Sequence, residues 1–325
     1  MHAPAAILRS LTPAGRRLLA DVRSNLRKAD TTIGLRADRD GTVDSCGVSV
    51  RWYEVGPEDP ETPTVVYVHG FNISAGEFYK QVEGLRPLGV RQVLVDLRGH
   101  GQTGKCDPEL LTIDAAADDV ACALRHRGVR GPVVVVGHSL GGPVSLSLMR
   151  RYSEEFNWAG SVQISSAVEP FTVQGMPQVL AGPIGRFLEF MVEHWPYFAE
   201  GVRRVVTDTL APILALGFYF RPMDYDVIQF HAAMIQETPL ATYAGYFEDL
   251  LHHSELSAAG VLADLPGYIL VGDKDHVTPV SQSSRLWSIW PRAYMQVLPD
   301  SGHMPPLDAP GAVTAAIARV LERVV

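Results

Sequence analysis

Along this chain the hydrophobic positions change their period, and the changes mark out its parts. Residues 48–53, Val-Ser-Val-Arg-Trp-Tyr, alternate apolar with polar, the period of a strand with one wet face. With the small, alternating residues 42–50 they predict two antiparallel strands within 34–56. Beyond a turn carrying Pro57, Asp59, Pro60 and Pro63 the strands change character. Val65-Val66-Tyr67-Val68, Val93-Leu94-Val95, Val133-Val134-Val135-Val136 and Val162-Gln163-Ile164 are short, mostly apolar and rich in β-branched residues. Tyr268-Ile269-Leu270-Val271 and Tyr294-Met295-Gln296-Val297 continue the series. Such runs suit a parallel sheet covered on both faces. Helical periods separate them at 78–88, 113–127 and 140–152, and Val313, Ile317, Val320, Leu321 and Val324 mark a last helix. The alternation predicts an α/β fold with a doubly wound, mostly parallel sheet.

The rhythm breaks at 169–264, where 96 residues pass without a convincing strand. This stretch holds 14 of the 27 Phe, Trp and Tyr residues, against about eight for an even spread. It reads as a helical cap, or lid, over the carboxyl edge of the sheet, where open α/β sheets bind ligands. At the other extreme, residues 1–28 carry six basic side chains against Asp21 alone, in a chain whose net charge is −8. Leu11, Leu18, Val22 and Leu26 fall on one helical face there. A basic amphipathic helix has two readings, packing on its own domain or peripheral contact with an anionic membrane. The expected organisation is therefore an N-terminal helix at 1–30, a core at 31–168 and 265–325, and a cap at 169–264.

Composition narrows the classes. The acidic balance argues against a nucleic-acid partner. Cys46, Cys106 and Cys122 are odd in number and widely spaced, as expected of reduced thiols rather than a disulfide framework or a zinc site. Arg9, Arg16 and Arg17 interrupt the apolar core that a secretory signal needs, and no run reaches the ~18 residues of a membrane span. A cytoplasmic location follows.

The strongest chemical signal is Gly137-His138-Ser139-Leu140-Gly141 between a buried strand and a helix. Two flanking glycines let strand and helix approach closely while the serine hydroxyl is lifted clear of the sheet. The chain here resembles the α/β-hydrolase superfamily, in its serine-nucleophile, esterase- or lipase-like branch with a helical cap, from about Trp52 to the C-terminus. Four further stretches carry the resemblance. His69-Gly70-Phe71 is similar to the oxyanion loop of that family. Asp96-Leu97-Arg98-Gly99-His100-Gly101 resembles its D-x-R-G-x-G turn, with Thr103 where serine is common. Gly272 to Pro279 resembles the acid loop, and Ser301-Gly302-His303-Met304-Pro305 the loop of the catalytic histidine.

The resemblance implies a triad of Ser139, His303 and Asp275, with Phe71 and Leu140 N–H groups as the oxyanion hole. The chemistry asks for the same parts: a hydroxyl is a weak nucleophile until an imidazole takes its proton, and a carboxylate must hold that imidazole. Losing one oxyanion donor costs roughly 3 kcal/mol of transition-state stabilisation. Asp273 and Glu169 are the competing acids. His69, His100 and His138 read as scaffold, and His276 as structural or substrate-contacting. His231, His252 and His253 lack a matching carboxylate cluster, so no metal site is read. Phe218, Tyr219 and Phe220 are the expected lining of an apolar acyl pocket. The function expected is a cofactor-free serine hydrolase of carboxylic esters acting through an acyl-enzyme. An acyltransferase or perhydrolase with the same triad, or a ligand receptor on this scaffold, are the alternatives.

Overall fold

The computed structural model describes residues 33–103, 106–171, 194 and 217–324. The basic segment 1–28 and Phe187, Phe190 and Phe198 lie outside the described residues. The strands are β1 (Arg39–Ser45), β2 (Val48–Val55), β3 (Thr64–Val68), β4 (Arg91–Val95), β5 (Val133–His138), β6 (Trp158–Ile164), β7 (Gly267–Gly272) and β8 (Ala293–Leu298). They form one sheet in the order β1-β2-β4-β3-β5-β6-β7-β8. β2 runs antiparallel to both of its neighbours, and the remaining pairs are parallel.

The hairpin between β1 and β2 closes on Cys46 and Gly47, both at positive φ, the geometry whose twist matches the flanking strands. Every residue of β3, β4, β5 and β7 is buried, as the apolar runs predict. Alternate residues serve opposite faces. Val66, Val68, Val133 and Val135 pack with α2 (Ile113–His126), α3 (Gly141–Arg151) and α6 (Val280–Ser288), while Val65, Tyr67, Val134 and Val136 meet α1 (Tyr79–Leu85) and α7 (Pro310–Leu321). At roughly 1.5–3 kcal/mol for each fully buried valine side chain, these two layers dominate the fold's stability.

Three expectations change. The helix expected at 78–88 is a chain of short pieces, Ala75–Phe78, α1 and Arg86–Leu88. Pro87, which has no N–H, stands in the last piece, and Gly89 at φ 64° ends it. The last helix stops at Leu321, so Val324 lies beyond it. β8 is not a doubly covered strand, because it is the sheet's edge and leaves Tyr294 and Val297 exposed.

Between β3 and β5 the chain's direction of travel across the sheet reverses, which opens a crevice at their carboxyl ends. The described part of 169–264 contains α4 (Tyr225–Glu237) and α5 (Leu240–His252) and no strand. α5 lies over that edge: Thr242 Oγ1 donates to Gly99 O at 2.8 Å, and Asp249 accepts from Ile113 N–H at 2.7 Å.

Candidate active site

Ser139 sits in the left-handed region at φ 50°, a conformation that costs a non-glycine residue about 1–3 kcal/mol. The elbow holds it there with two bonds: Ser139 N–H donates to Ile164 O at 3.0 Å, and Ser166 Oγ donates to Ser139 O at 3.1 Å. A methyl group on Gly137 would lie 2.6 Å from both Gly141 O and Ser145 Oγ, and one on Gly141 would strike Val68 O. The glycines are needed because helix and strands are in backbone contact.

The turn 96–103 fixes the neighbouring loop. Asp96 accepts from Ala75 N–H at 2.9 Å, Gln102 N–H at 2.8 Å and Tyr53 Oη–H at 2.9 Å. Arg98 forks onto Asp119 of α2 at 2.6 and 2.7 Å, both buried. Thr103 does the work expected there of a hydroxyl, donating to Asp96 O at 2.6 Å and accepting from Arg51 N–H at 2.9 Å. Leu97 N–H donates to His69 Nε2 at 2.9 Å, while His69 Nδ1–H donates to Gly70 O at 2.7 Å. Burial pulls the His69 imidazole down to about 4, so it is neutral scaffold.

His303 and Asp275 arrive on the loops after β8 and β7. Ser139 Oγ lies 2.9 Å from His303 Nε2, and His303 Nδ1 lies 2.9 and 3.1 Å from the two Asp275 oxygens. All three are buried, with Ser139 exposed by only 7% and His303 by 6%. Burial alone would raise the Asp275 carboxyl. The His303 contacts and the Thr278 N–H outweigh it, so the carboxyl is held below its ordinary 3.8. The competing acids stand elsewhere: Glu169 is paired with Arg285 at 3.1 Å, and Asp273 with Lys274 at 3.4 Å.

Leu140 precedes the first turn of α3, with its N–H at the positive end of the helix. Gly70 approaches so closely that a methyl group on it would sit 3.2 Å from Ser139 Cβ, which brings the following Phe71 to the serine. Among the described residues neither the Leu140 nor the Phe71 N–H has a backbone acceptor. The Phe71 ring packs edge-on against His100, Tyr243 and Tyr246, tying this loop to α5.

The three aromatic residues expected to line a pocket separate. Phe218 stands 6.0 Å from the His303 ring, centroid to centroid. Tyr219 turns away into an apolar cluster with Ile73, Tyr79 and Val227, its hydroxyl 3.0 Å from His231 Nδ1. Phe220 is 47% exposed, with His276 at its edge. His253 does have carboxylate neighbours, Asp114 and Glu255, contrary to the sequence expectation. Their charge is met by Arg150, 2.8 Å from Glu255 and 3.5 Å from Asp114.

Four contributors to this site carried no sequence signal. Thr278 Oγ1 lies 2.9 Å from Asp275 Oδ2 and 2.8 Å from Ser165 O. Asp308 accepts from Ser301 Oγ–H at 2.7 Å and Gly302 N–H at 3.1 Å. Phe218 O accepts from His303 N–H at 3.2 Å. Glu77, in the short helix after the Gly70–Phe71 loop, reaches His138. Thr278 stands at a variable position of the acid loop, Asp308 lies beyond the His303 loop, Phe218 contributes a backbone atom, and Glu77 is 61 positions from His138.

Known proteins match this chain in sequence and in fold, over differing shares of its length. A hydrolase of Bacillus subtilis strain 168 named YugF, otherwise uncharacterized, is 27% identical over 282 residues, 85% of this chain and 95% of the relative. The protein named bifunctional esterase/perhydrolase DCH, from Acinetobacter calcoaceticus, is 33% identical over 129 residues, 39% of this chain and 44% of its own. The structure of a thermophilic esterase from Thermogutta terrifontis superposes with a TM-score of 0.68 at 24% identity, covering 90% of this chain and 98% of the other. That likeness shows the fold. The model of the alpha/beta hydrolase family matches residues 65–317, which include Ser139, Asp275 and His303. The chain belongs to the alpha/beta hydrolase family.

Proposed function

We propose that the protein is a carboxylic-ester hydrolase in which Ser139 is the nucleophile, His303 the general base and then acid, and Asp275 the group that holds the imidazole. The observation that carries this is the unbroken chain from Ser139 Oγ to His303 Nε2 at 2.9 Å and from His303 Nδ1 to Asp275 at 2.9 Å. In this reading Asp275 accepts the Nδ1–H, which leaves the Nε2 lone pair to take the serine proton as Oγ attacks the ester carbonyl. The tetrahedral oxyanion is received by the Leu140 and Phe71 N–H groups. His303 then protonates the leaving alkoxide, an acyl-Ser139 remains, and water activated by the same imidazole releases the acid. The buried carboxylate offsets the imidazolium charge that develops.

The aromatic segment 169–264 supports an apolar acyl group, with Phe218 beside the site. The family resemblance and the named esterases support ester hydrolysis. The relative named an esterase/perhydrolase favours a second reading, in which peroxide rather than water attacks the same acyl-enzyme. A cytoplasmic location, with peripheral membrane contact through residues 1–28, is part of this proposal and rests on charge and periodicity.

The test is kcat/KM on p-nitrophenyl esters of rising acyl length, with and without peroxide, for the parent and Ser139→Ala. Ser139→Ala lowers turnover by roughly 10⁴-fold or more at every length. In the parent, kcat/KM rises about threefold to fourfold per methylene until the pocket is full, at ~0.8 kcal/mol each. A Ser139→Ala variant within tenfold of the parent would remove the nucleophile assignment, and a flat length profile the apolar pocket.

A further inference from the structure

One buried charged pair beside the site has no part in the steps above. We propose that Glu77 and a protonated His138 form a positioning pair that ties the oxyanion loop to the loop carrying His303. The inference rests on the ester-hydrolase reading of the Ser139 site.

Each ring nitrogen of His138 faces an acceptor. His138 Nδ1 lies 2.8 Å from Glu77 Oε2, an ion-pair contact rather than an aligned hydrogen bond. His138 Nε2 lies 2.8 Å from the backbone carbonyl oxygen of His303. Both neighbours are acceptors, and a neutral imidazole has only one N–H to offer. Facing an ionised Glu77, only the cation serves both. His69, across the same loop, is the contrasting case, since it meets an N–H on one side and a carbonyl on the other and is complete when neutral. Glu77 and His138 are both wholly buried, so neither charge is stable there without the other.

The pair also spans the right elements. Glu77 Oε1 accepts from Gly70 N–H at 3.0 Å, one residue before the proposed oxyanion donor Phe71. His138 is the residue before Ser139, and its other nitrogen holds the backbone of His303. The three loops that must converge on an ester carbonyl are thus joined by two side chains. The groups whose charge reaches His138 are Glu77, Asp275 and Asp308 on the acidic side, and His69, His231 and His303 among the imidazoles. Burial disfavours the cation, but the Glu77 carboxylate, the His303 carbonyl and Asp275 outweigh it and raise the group above its ordinary 6.5. The two acceptors therefore favour the cation. Above its pKa one of the two contacts is lost, the loops loosen and kcat falls.

The test is kcat and KM on p-nitrophenyl acetate from about pH 6 to 10 for the parent, Glu77→Ala, Glu77→Gln and Ser139→Ala. The parent shows an alkaline limb in kcat. Glu77→Ala lowers kcat about 30-fold or more with KM changed less than about threefold, the signature of misplaced groups rather than lost substrate contact. In Glu77→Gln the amide N–H donates to Nδ1 of a neutral imidazole, whose Nε2–H still reaches His303 O. The alkaline limb disappears while kcat stays above that of Glu77→Ala. If Glu77→Ala does not fold, the Glu77→Gln profile decides alone. A parent with no alkaline limb, or a Glu77→Gln variant that keeps it, overturns the proposal. Activity in Ser139→Ala overturns the ester-hydrolase reading itself, whereas an inactive Ser139→Ala beside Glu77 variants matching the parent overturns only the positioning pair.

Discussion

Ser139 and His303 meet at 2.9 Å, yet they are held in opposite ways. The serine is shaped by local backbone within residues 133–151, namely a strand, two glycines that admit close contact, a strained φ and a helix start, with Ile164 O and Ser166 Oγ adding two bonds from the end of the adjacent strand. The histidine lies on a loop with little shape of its own. Side chains and carbonyls from elsewhere hold it, namely Asp275, Asp308, His138 and Phe218 O. A side chain placed by local geometry tolerates change at a distance, whereas one placed by remote partners inherits the state of each of them. In the proposed reaction the contrast suits the two tasks, because Oγ has one direction of attack while the imidazole exchanges protons with both serine and leaving group.

The contrast yields tests, in decreasing order of effect. After Ser139→Ala, Asp275→Asn is the most severe, lowering kcat about 10³- to 10⁴-fold because an amide neither selects the right tautomer nor stabilises the imidazolium. Glu169→Gln, by contrast, leaves the rate within about twofold, since surface pairs contribute little. The reverse ranking would move the acid to the loop after β6.

Next comes Gly302→Ala. A methyl group there strikes Phe218 O and comes within 3.0 Å of Phe220 Cδ2, so the His303 loop and the 218–220 segment must part. A displacement near 1 Å lowers kcat about 10²-fold. The same change at exposed Gly47, where a methyl group meets nothing, leaves kcat at the parent value, although its positive φ costs about 1 kcal/mol in a melt. Equal kcat values for the two variants would erase the distinction between a strained turn and a turn that carries the base.

Thr278→Val is milder. It removes the hydroxyl that lies between Asp275 Oδ2 and Ser165 O but leaves the two backbone N–H donors to Asp275 Oδ1, at 2.9 Å each. Loss of about 1 kcal/mol gives roughly a fivefold fall in kcat. A fall as deep as that of Asp275→Asn would mean the hydroxyl, not the backbone, orients the carboxylate.

The smallest effect is on stability against pH, and the two buried groups act at opposite ends. The Asp275 carboxyl is held below 3.8, so its contribution is complete above that value and lost as pH falls through the folded pKa. His138 is raised above 6.5, so its contribution is complete below 6.5 and lost as pH rises through the folded pKa. Melts of the parent show a plateau between these limits. Asp275→Asn flattens the acid side alone, and Glu77→Gln the alkaline side alone. Any other pattern would place the titrating groups elsewhere.

How much of this was legible depended on whether a residue's partners lie near it in the chain. β3, β5 and β7 were plain because a strand covered on both faces must be apolar throughout, and the elbow because its glycines answer to its own helix and strands. β8 misled, since its partly apolar run resembles a central strand and nothing in it says that one neighbour is missing. The surroundings of Phe218, Tyr219 and Phe220 were not legible either: Tyr219 is buried in an apolar cluster and Phe220 is exposed, and the sequence of three neighbouring aromatics does not distinguish them.

Sequence alone thus determined most of the strands, the family and the serine at the elbow, since period and local turn chemistry are written in neighbouring positions. Tertiary structure decided which carboxylate meets His303, that Tyr219 turns from the site, and that Glu77 and His138 share a buried charge. Glu77 and His138 lie 61 positions apart, and nothing in either segment specifies the other. Their pairing exists because β3 and β5 are neighbours in the sheet, which brings the loop after one strand against the end of the next, away from water. There a charge is stable only with its partner.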